Sequence, residues 1–405
     1  MKYTLWFVRL VFAAWMIPAG LNHFIPLFPQ PMGSQPLSHE LVVGLIDSHL
    51  FYLVKAVEFI AGVSALIGFF TPLGVILCMP VSFCVFYWDA PLEGWGSRAS
   101  IFGYAALLCN VLLCLAYIGS YRSLLAPRST PGSSRKQLVF VSRLIFGAWM
   151  LASGVSYFFF SRWPMPTGHE PLAIQLMSAL VHSRLLNVAM AIQLAAGALI
   201  LSGLFVPLAL CVLMPVSTCA LYWSLILDHQ PLGVLLALAA FALNGLLMLA
   251  YLEYYKGALQ RQAPMLGESQ GERMSFDSLF VNRNGRTSRG QFVAALIPLL
   301  AVVVLYVFAP IGRSGPWSTL VLLFPALVLH ARRLHDMGHT AWPLLVPAAL
   351  MIASFAIWLH LVSLGAQLDS AVPLTALVVS AGFALWGCIG RGQAEANSFG
   401  TPAAA

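Results

Sequence analysis

The sequence predicts an all-α polytopic membrane protein of about twelve transmembrane helices, arranged as three four-helix units with both termini on the inner face. Three observations predict it. The 405 residues are 60% hydrophobic with a mean hydropathy of +0.85, and only 9% are charged, whereas soluble domains carry roughly a quarter charged residues. Apolar stretches of bilayer-spanning length recur from end to end. The basic residues gather in alternate short loops between them, where the positive-inside bias places cations, so the net charge of +7 does not point to nucleic acid.

The elements follow in order. The first unit, residues 1–125, reads as four spans near 5–27, 50–70, 72–88 and 100–118. Its opening, MKYTLWFVRLVFAAWMIPAGLNHF, has the look of a signal peptide, but no small-residue cleavage site follows and Arg9 interrupts the apolar run. The same segment also returns later in the chain, so it is expected to be retained. RLVFAAWMIPAGLNHF (9–24) aligns with RLIFGAWMLASGVSYF (143–158), GFFTPLGVILCMPVSFCVFYW (68–88) with GLFVPLALCVLMPVSTCALYW (203–223), and LLCNVLLCLAY (107–117) with FALNGLLMLAY (241–251). The offset stays at 134 or 135 residues, the pattern of a tandem duplication. A polar linker, 126–137, leads to the second unit, 138–256, with spans near 138–160, 185–205, 207–226 and 232–252. Pro80 and Pro215 fall mid-span at matching positions and predict kinks. A second linker, 257–279, has the Pro, Gly, Ser and charge content of a solvated connection. The third unit, 280–405, supplies spans near 291–311, 315–331, 341–363 and 372–390, with Ser288 and Gln291 spaced as a capping box before the first of them. With the N-terminus inside, sixteen of the twenty-one basic residues lie at inner ends and loops, Arg332, Arg333, Arg286 and Arg289 among them, and Arg98, Arg162, Arg184 and Arg313 lie outside.

The duplicated unit resembles the DoxX family of small four-helix membrane proteins. The likeness rests on the RLxFxxWMxxxG opening, the Asn-His-Phe near the end of the first span, and Glu58-Phe-Ile-Ala-Gly leading into Gly68-Phe-Phe-Thr-Pro. The last third resembles the bacterial membrane family known as domain of unknown function 805. That likeness is carried by FxxxGRxSRxxF (Gly285, Arg286, Ser288, Arg289, Phe292), by Arg332-Arg333-Leu334-His335-Asp336 with Gly338 and Trp342, and by the tail from Gly392 to Asn397-Ser-Phe-Gly400. Together the resemblances imply a bacterial cytoplasmic membrane address and, through DoxX relatives tied to quinone-linked thiosulfate oxidation and oxidative-stress complexes, a loose redox context. In the second copy Gln193 stands where Glu58 does and Tyr157 where His23 does, so chemistry that needs a carboxylate there is lost from that copy.

Few residues are placed to carry chemistry. Lys55 and Glu58, at i and i+3, share one face of a span about 12 Å from its outer end. Ionisable groups inside a span are costly and default to function, here a proton-accepting carboxylate beside a quinone. The plainer reading, a buried ion pair that fixes packing with Gln193 as interhelical glue, is slightly favoured. Asn110 and Asn244 read as interhelical hydrogen-bonding residues, and Tyr87-Trp88 and Tyr222-Trp223 as interfacial belts. Histidine spacing offers no metal or haem site, seven cysteines without CxxC give neither zinc nor disulfide framework, and no nucleotide or hydrolase motif is present.

HARRLHDMGHTAW (330–342) is the densest polar run in the chain. Topology puts it in an inner connection between spans ten and eleven, with Arg332 and Arg333 among anionic headgroups, Asp336 as a local counter-charge, Gly338 turning the chain and Trp342 anchoring the next span. The competing reading is a cytoplasmic anion site framed by His335, His339, Arg286 and Arg289. For the whole chain, a non-catalytic accessory or scaffold protein binding lipid or membrane-protein partners ranks first. A quinone-linked redox subunit ranks second and a small-solute transporter third.

Overall fold

The computed structural model describes residues 1–132, 135–160, 167–269, 274–308, 315–363 and 371–402. Arg162, Arg273 and Arg313 of the charge count lie outside the described residues. Every regular element described is helical: α1 (Lys2–Leu21), α2 (Pro36–Asp47), α3 (Leu50–Ile67), α4 (Thr71–Tyr87), α5 (Arg98–Ala116), α6 (Ile118–Tyr121), α7 (Lys136–Phe159), α8 (Pro171–His182), α9 (Leu185–Ser202), α10 (Val206–Tyr222), α11 (Pro231–Ala250), α12 (Phe276–Phe280), α13 (Arg289–Phe308), α14 (Gly315–Asp336), α15 (Leu345–Ser363) and α16 (Ala371–Ile389). Ten of these, by length and apolar composition, can cross a membrane: α1, α3, α4, α5, α7, α9, α10, α11, α13 and α15. α14 is not among them because its last turns carry the charged run.

The first two bundles are built by the same local devices. In each, a tight turn between the second and third apolar helices uses a left-handed glycine (Gly68 φ 74°, Gly203 φ 76°) and then a left-handed phenylalanine (Phe70 φ 52°, Phe205 φ 48°), with proline opening the next helix. A left-handed phenylalanine is strained and needs outside support. Each receives it from the other bundle's linker, since the Phe205 N–H donates to the Pro127 carbonyl at 3.0 Å and the Phe70 N–H to that of Arg261 at 2.9 Å. At the opposite end the exchange repeats: the Tyr87 hydroxyl donates to Ser183 O (2.7 Å) and that of Tyr222 to Ser48 O (2.8 Å), while α2 packs on α8. Such reciprocity, where i meets j and j meets i, is the signature of a two-fold relation between like surfaces.

Each bundle is closed by a glycine-mediated crossing, α1 on α3 and α7 on α9. A Cβ on Gly62 would come within 2.8 Å of Ile17 N, and one on Gly197 within 2.4 Å of Leu151 N. Small residues are what let helix backbones approach this closely in a membrane. Gly62→Ala should therefore cost about 1–3 kcal/mol by overpacking, read as a lower unfolding temperature in detergent. Gly245→Ala, where a Cβ meets nothing within 4 Å, should leave that temperature unchanged. Equal shifts would show that the crossing is not tight. Polar ties add to each bundle: Asn110 donates to Ser82 Oγ (2.8 Å) and Asn244 to Ser217 Oγ (3.3 Å), joining α5 to α4 and α11 to α10.

Among the described residues the third unit packs chiefly on the first bundle. α13 and α14 pack against α1, and the Tyr306 hydroxyl donates to Val11 O at 2.9 Å. Residues 257–269 and 274–279 are not the solvated connection that the composition of this segment suggests. Ala258, Ala263, Met265, Phe276 and Leu279 are buried in the main core with Trp6 and Tyr117. Their carboxylates explain why: Glu268 accepts from Trp6 Nε1 at 2.7 Å, and Asp277 pairs with Arg9 Nη2 at 2.7 Å. Composition registered the charges but not their partners, which lie more than 260 positions away in the chain. Further differences from the sequence reading are α2 and α8, which the sequence analysis leaves as loop, and α14, which runs on to Asp336 instead of ending near 331.

Candidate functional site

Between the two bundles lies a cavity of about 2230 Å³, walled by α1, α3, α4 and α5 on one side and α7, α9, α10 and α11 on the other. Ligand pockets are ordinarily about 300–1000 Å³, so this space suits a lipid-sized occupant better than a small solute. Its lining is mostly apolar, Leu, Val and Met above all, with Trp15 and Trp149 at matching positions and the mid-helix prolines Pro80 and Pro215 lining it from the two sides.

Polar groups in the wall are few and unevenly shared. Lys55 Nζ and Glu58 Oε2 are 2.8 Å apart, with Glu58 buried and the ammonium 4.9 Å from the Phe51 ring centroid. Both line the cavity. Gln193, the residue of the second bundle at the Glu58 position, lines it too. Its Oε1 is buried with no hydrogen-bond partner, so Gln193 is not the interhelical glue of the sequence reading. An unpaired buried amide oxygen costs free energy unless an occupant supplies a donor.

Asp89, which sequence reasoning missed, also lines the cavity and is buried at its wall. The sequence reading ended the third span at Trp88, whereas the chain continues helical for Trp88–Leu92 as a π turn that carries Asp89 inward. The second bundle repeats the π turn over Trp223–Asp228, with Ser224 in place of the acid. Such turns concentrate at functional sites. The only signal for Asp89 was an acidic residue one position past an apolar run.

The Tyr-Trp pairs make specific contacts within the protein. Trp88 Nε1 donates to Ser38 O (2.8 Å) and Trp223 Nε1 to Ala173 O (3.1 Å), so each tryptophan holds α2 or α8 over the end of its own bundle while its tyrosine neighbour reaches the other bundle. Glu93 closes the same end on the first side, accepting from the backbone N–H of Ser34 at 2.8 Å and from the hydroxyls of Ser34 and Ser38. Burial would raise its carboxyl, but these bonds outweigh burial and leave it below the usual value.

The HARRLHD run is neither a headgroup anchor nor an accessible anion site. α14 carries it into the interior, where Arg286, Arg332, Arg333 and Asp336 are all buried. Asp336 takes Arg286 Nε at 3.1 Å and Arg333 Nη1 at 2.5 Å. Arg333 also donates to the carbonyls of Gly387 (2.8 Å) and Gly390 (2.6 Å) at the end of α16, and Arg332 to Thr287 Oγ1 (3.0 Å) and the carbonyls of Asn282, Asn284 and Arg286. Arg286 reaches the tail carbonyls of Gln393, Glu395 and Gly400. Most of the guanidinium N–H groups are engaged by protein acceptors, and burial keeps the side chains from presenting themselves to lipid or phosphate. His335 stacks on Phe399 with centroids 4.1 Å apart, while His339 and Arg289 are exposed and apart from the knot. Gly338 (φ 82°) turns the chain after α14, and the Ser288–Gln291 box forms with reciprocal contacts of 3.2 and 3.4 Å.

Among the described residues no group of three or more His, Cys, Asp or Glu is placed to hold a metal ion. Comparison with protein-family models, curated proteins and solved structures finds no match to the chain.

Proposed function

We propose that the chain is a multi-pass accessory protein of the bacterial cytoplasmic membrane whose paired, DoxX-like bundles hold a long apolar molecule with a small polar head, an isoprenoid quinone being the best fit. In this reading all twelve spans cross with both termini inside, and the last four form a domain of unknown function 805-like unit that buttresses the first bundle. The observation that carries the proposal is the lipid-sized apolar cavity with Glu58, Lys55, Asp89 and an unpaired Gln193 oxygen in its wall. Its volume and largely apolar lining suit a long apolar molecule, and the few charged and amide groups suit a small polar head. A hydroxyl or carbonyl head could hydrogen-bond to the carboxylate or ammonium, and a quinol hydroxyl would satisfy Gln193 Oε1.

Transport remains a second reading, favoured by one observation: Pro80 and Pro215 face the shared cavity from like positions of two parallel bundles. The lining argues that any cargo is itself apolar. Extraction of the protein purified from its native membrane should yield stoichiometric quinone by mass spectrometry. Glu58→Gln, which keeps shape but removes the charge and leaves Lys55 unpaired, should lower that yield several-fold. Phospholipid alone in the extract, in both proteins, would refute quinone binding.

A further inference from the structure

Arg143 stands 134 positions after Arg9 and opens the same helix of the second bundle. The surroundings of Arg9 define what this position requires. Its guanidinium donates to Ala65 O (2.8 Å) and Tyr117 OH (2.8 Å), pairs with Asp277 (2.7 Å) and lies 3.8 Å above the Phe276 ring. The Asp277 carboxylate rests against Gly68 so closely that a Cβ there would meet it at 2.5 Å. In the second bundle the acid is missing. Arg143 lies over Gly203, the counterpart of Gly68, with Nη1 3.2 Å from where a Cβ would be. Its Nε is buried without a hydrogen-bond partner, and among the described residues the Phe140 ring, 5.3 Å away, faces the charge.

Beside it opens a groove of about 590 Å³ lined by Thr130, Lys136, Phe140, Val141, Arg143 and Tyr251 among others, with two cations and no acid in its wall. α1 is covered by α13 and α14, whereas α7 packs on α9 and α11. The flank of α7 is correspondingly bare: Leu138, Phe140, Val141 and Ile145 are each at least half exposed, a surface that acyl chains cover in a bilayer.

We propose that this groove binds an anionic phospholipid, its phosphodiester pairing with Arg143 and Lys136 where Asp277 pairs with Arg9, and its acyl chains lying along the bare flank of α7. A phosphodiester supplies the missing anion, and guanidinium matches it in a forked geometry. The bare apolar flank selects a lipid over a free phosphate. It equally selects a lipid over an acidic protein segment, because chains and headgroup are present together at this depth of any anionic membrane. The proposal requires only that α7 crosses a bilayer and is independent of what fills the central cavity.

The test uses the full chain in detergent, titrated with phosphatidylglycerol or phosphatidylcholine and read by native mass spectrometry. Phosphatidylglycerol should be retained preferentially. Arg143→Gln should lower its occupancy about fivefold, the scale of one basic group near an anionic surface. Thr130→Glu, an exposed-loop change that puts a carboxylate in the groove, should lower it similarly and decides the matter should Arg143→Gln fold poorly. Unchanged phosphatidylglycerol occupancy in Thr130→Glu, or equal retention of phosphatidylcholine by the parent, would overturn the proposal. A photo-crosslinker at position 140 in intact membranes should give a lipid adduct, and a protein adduct would overturn it in favour of an acidic protein segment.

Discussion

Asp336→Ala is expected to release the C-terminal tail and lower stability by about 3–5 kcal/mol, the cost of leaving buried cations without their counter-charge. Two buried guanidiniums, those of Arg286 and Arg333, share this one carboxylate, and the third, that of Arg332, bonds to Thr287 Oγ1 and backbone carbonyls. Carbonyl acceptors from Gly387 and Gly390 at the end of α16, and from the loop at 282–287, spread the remaining positive charge. They are dipoles, however, and cannot replace a full anion. The same residue fixes the tail through its backbone, since Gln393 N–H donates to Asp336 O at 2.8 Å. Gly392 presses on the carboxylate so closely that a Cβ there would meet Oδ2 at 2.2 Å. Unfolding followed by tryptophan fluorescence in detergent should shift down by several degrees, and limited proteolysis should cut within 390–400. Arg333→Lys should do nearly as much harm, because an ammonium cannot span Gly387, Thr287, Asp336 and Gly390 together. A tail that stays protected in Asp336→Ala would mean that the carbonyls alone hold the knot.

This knot also shows where sequence reading reached and where it stopped. The helical, multi-span character was legible because burial in lipid demands long apolar runs, a purely local property. So were the left-handed Gly338 and the Ser288–Gln291 cap, each decided within four residues. Arg332 and Arg333 were read as headgroup anchors because the positive-inside rule counts charges by position in the chain. Their acceptors lie as far as 57 residues away, in segments that carry no complementary charge to signal them. The 257–279 segment failed for the same reason: Glu268 and Asp277 looked solvated until Trp6 and Arg9 were brought to them. Asp89 needed one further helical turn, of π type, that no residue pattern at 88–92 announces. α2 and α8 were missed although both open on proline at the first turn and carry apolar residues every three or four positions. They were simply too short to register as spans.

The second large effect concerns the joint between the first bundle and the rest of the chain. Asp277→Ala should cost about 3 kcal/mol, the low end for a broken buried pair because the Asp277 side chain keeps 27% of its exposure. The penalty comes chiefly from Arg9, which is 1% exposed and would keep only Ala65 O, Tyr117 OH and the Phe276 ring. If that is its origin, removing the stranded charge should undo it. Arg9→Met with Asp277→Ala should therefore be more stable than Asp277→Ala alone, since a well-packed apolar replacement for a buried pair is often neutral or better. The coupling between the two sites in a double-mutant cycle should exceed about 2 kcal/mol, large for residues in one ion pair. Arg143→Met supplies the comparison within the same molecule, because it alters the corresponding arginine where no carboxylate waits. In lipid-free detergent it should change stability by less than about 1 kcal/mol. Additive effects at Arg9 and Asp277, or a loss at Arg143 as large as that at Arg9, would show that the joint rests on apolar packing of Phe276 and Phe280 and not on the ion pair. An effect confined to Arg9 would identify Asp277 as the residue by which the 257–279 segment selects one of the two duplicated bundles.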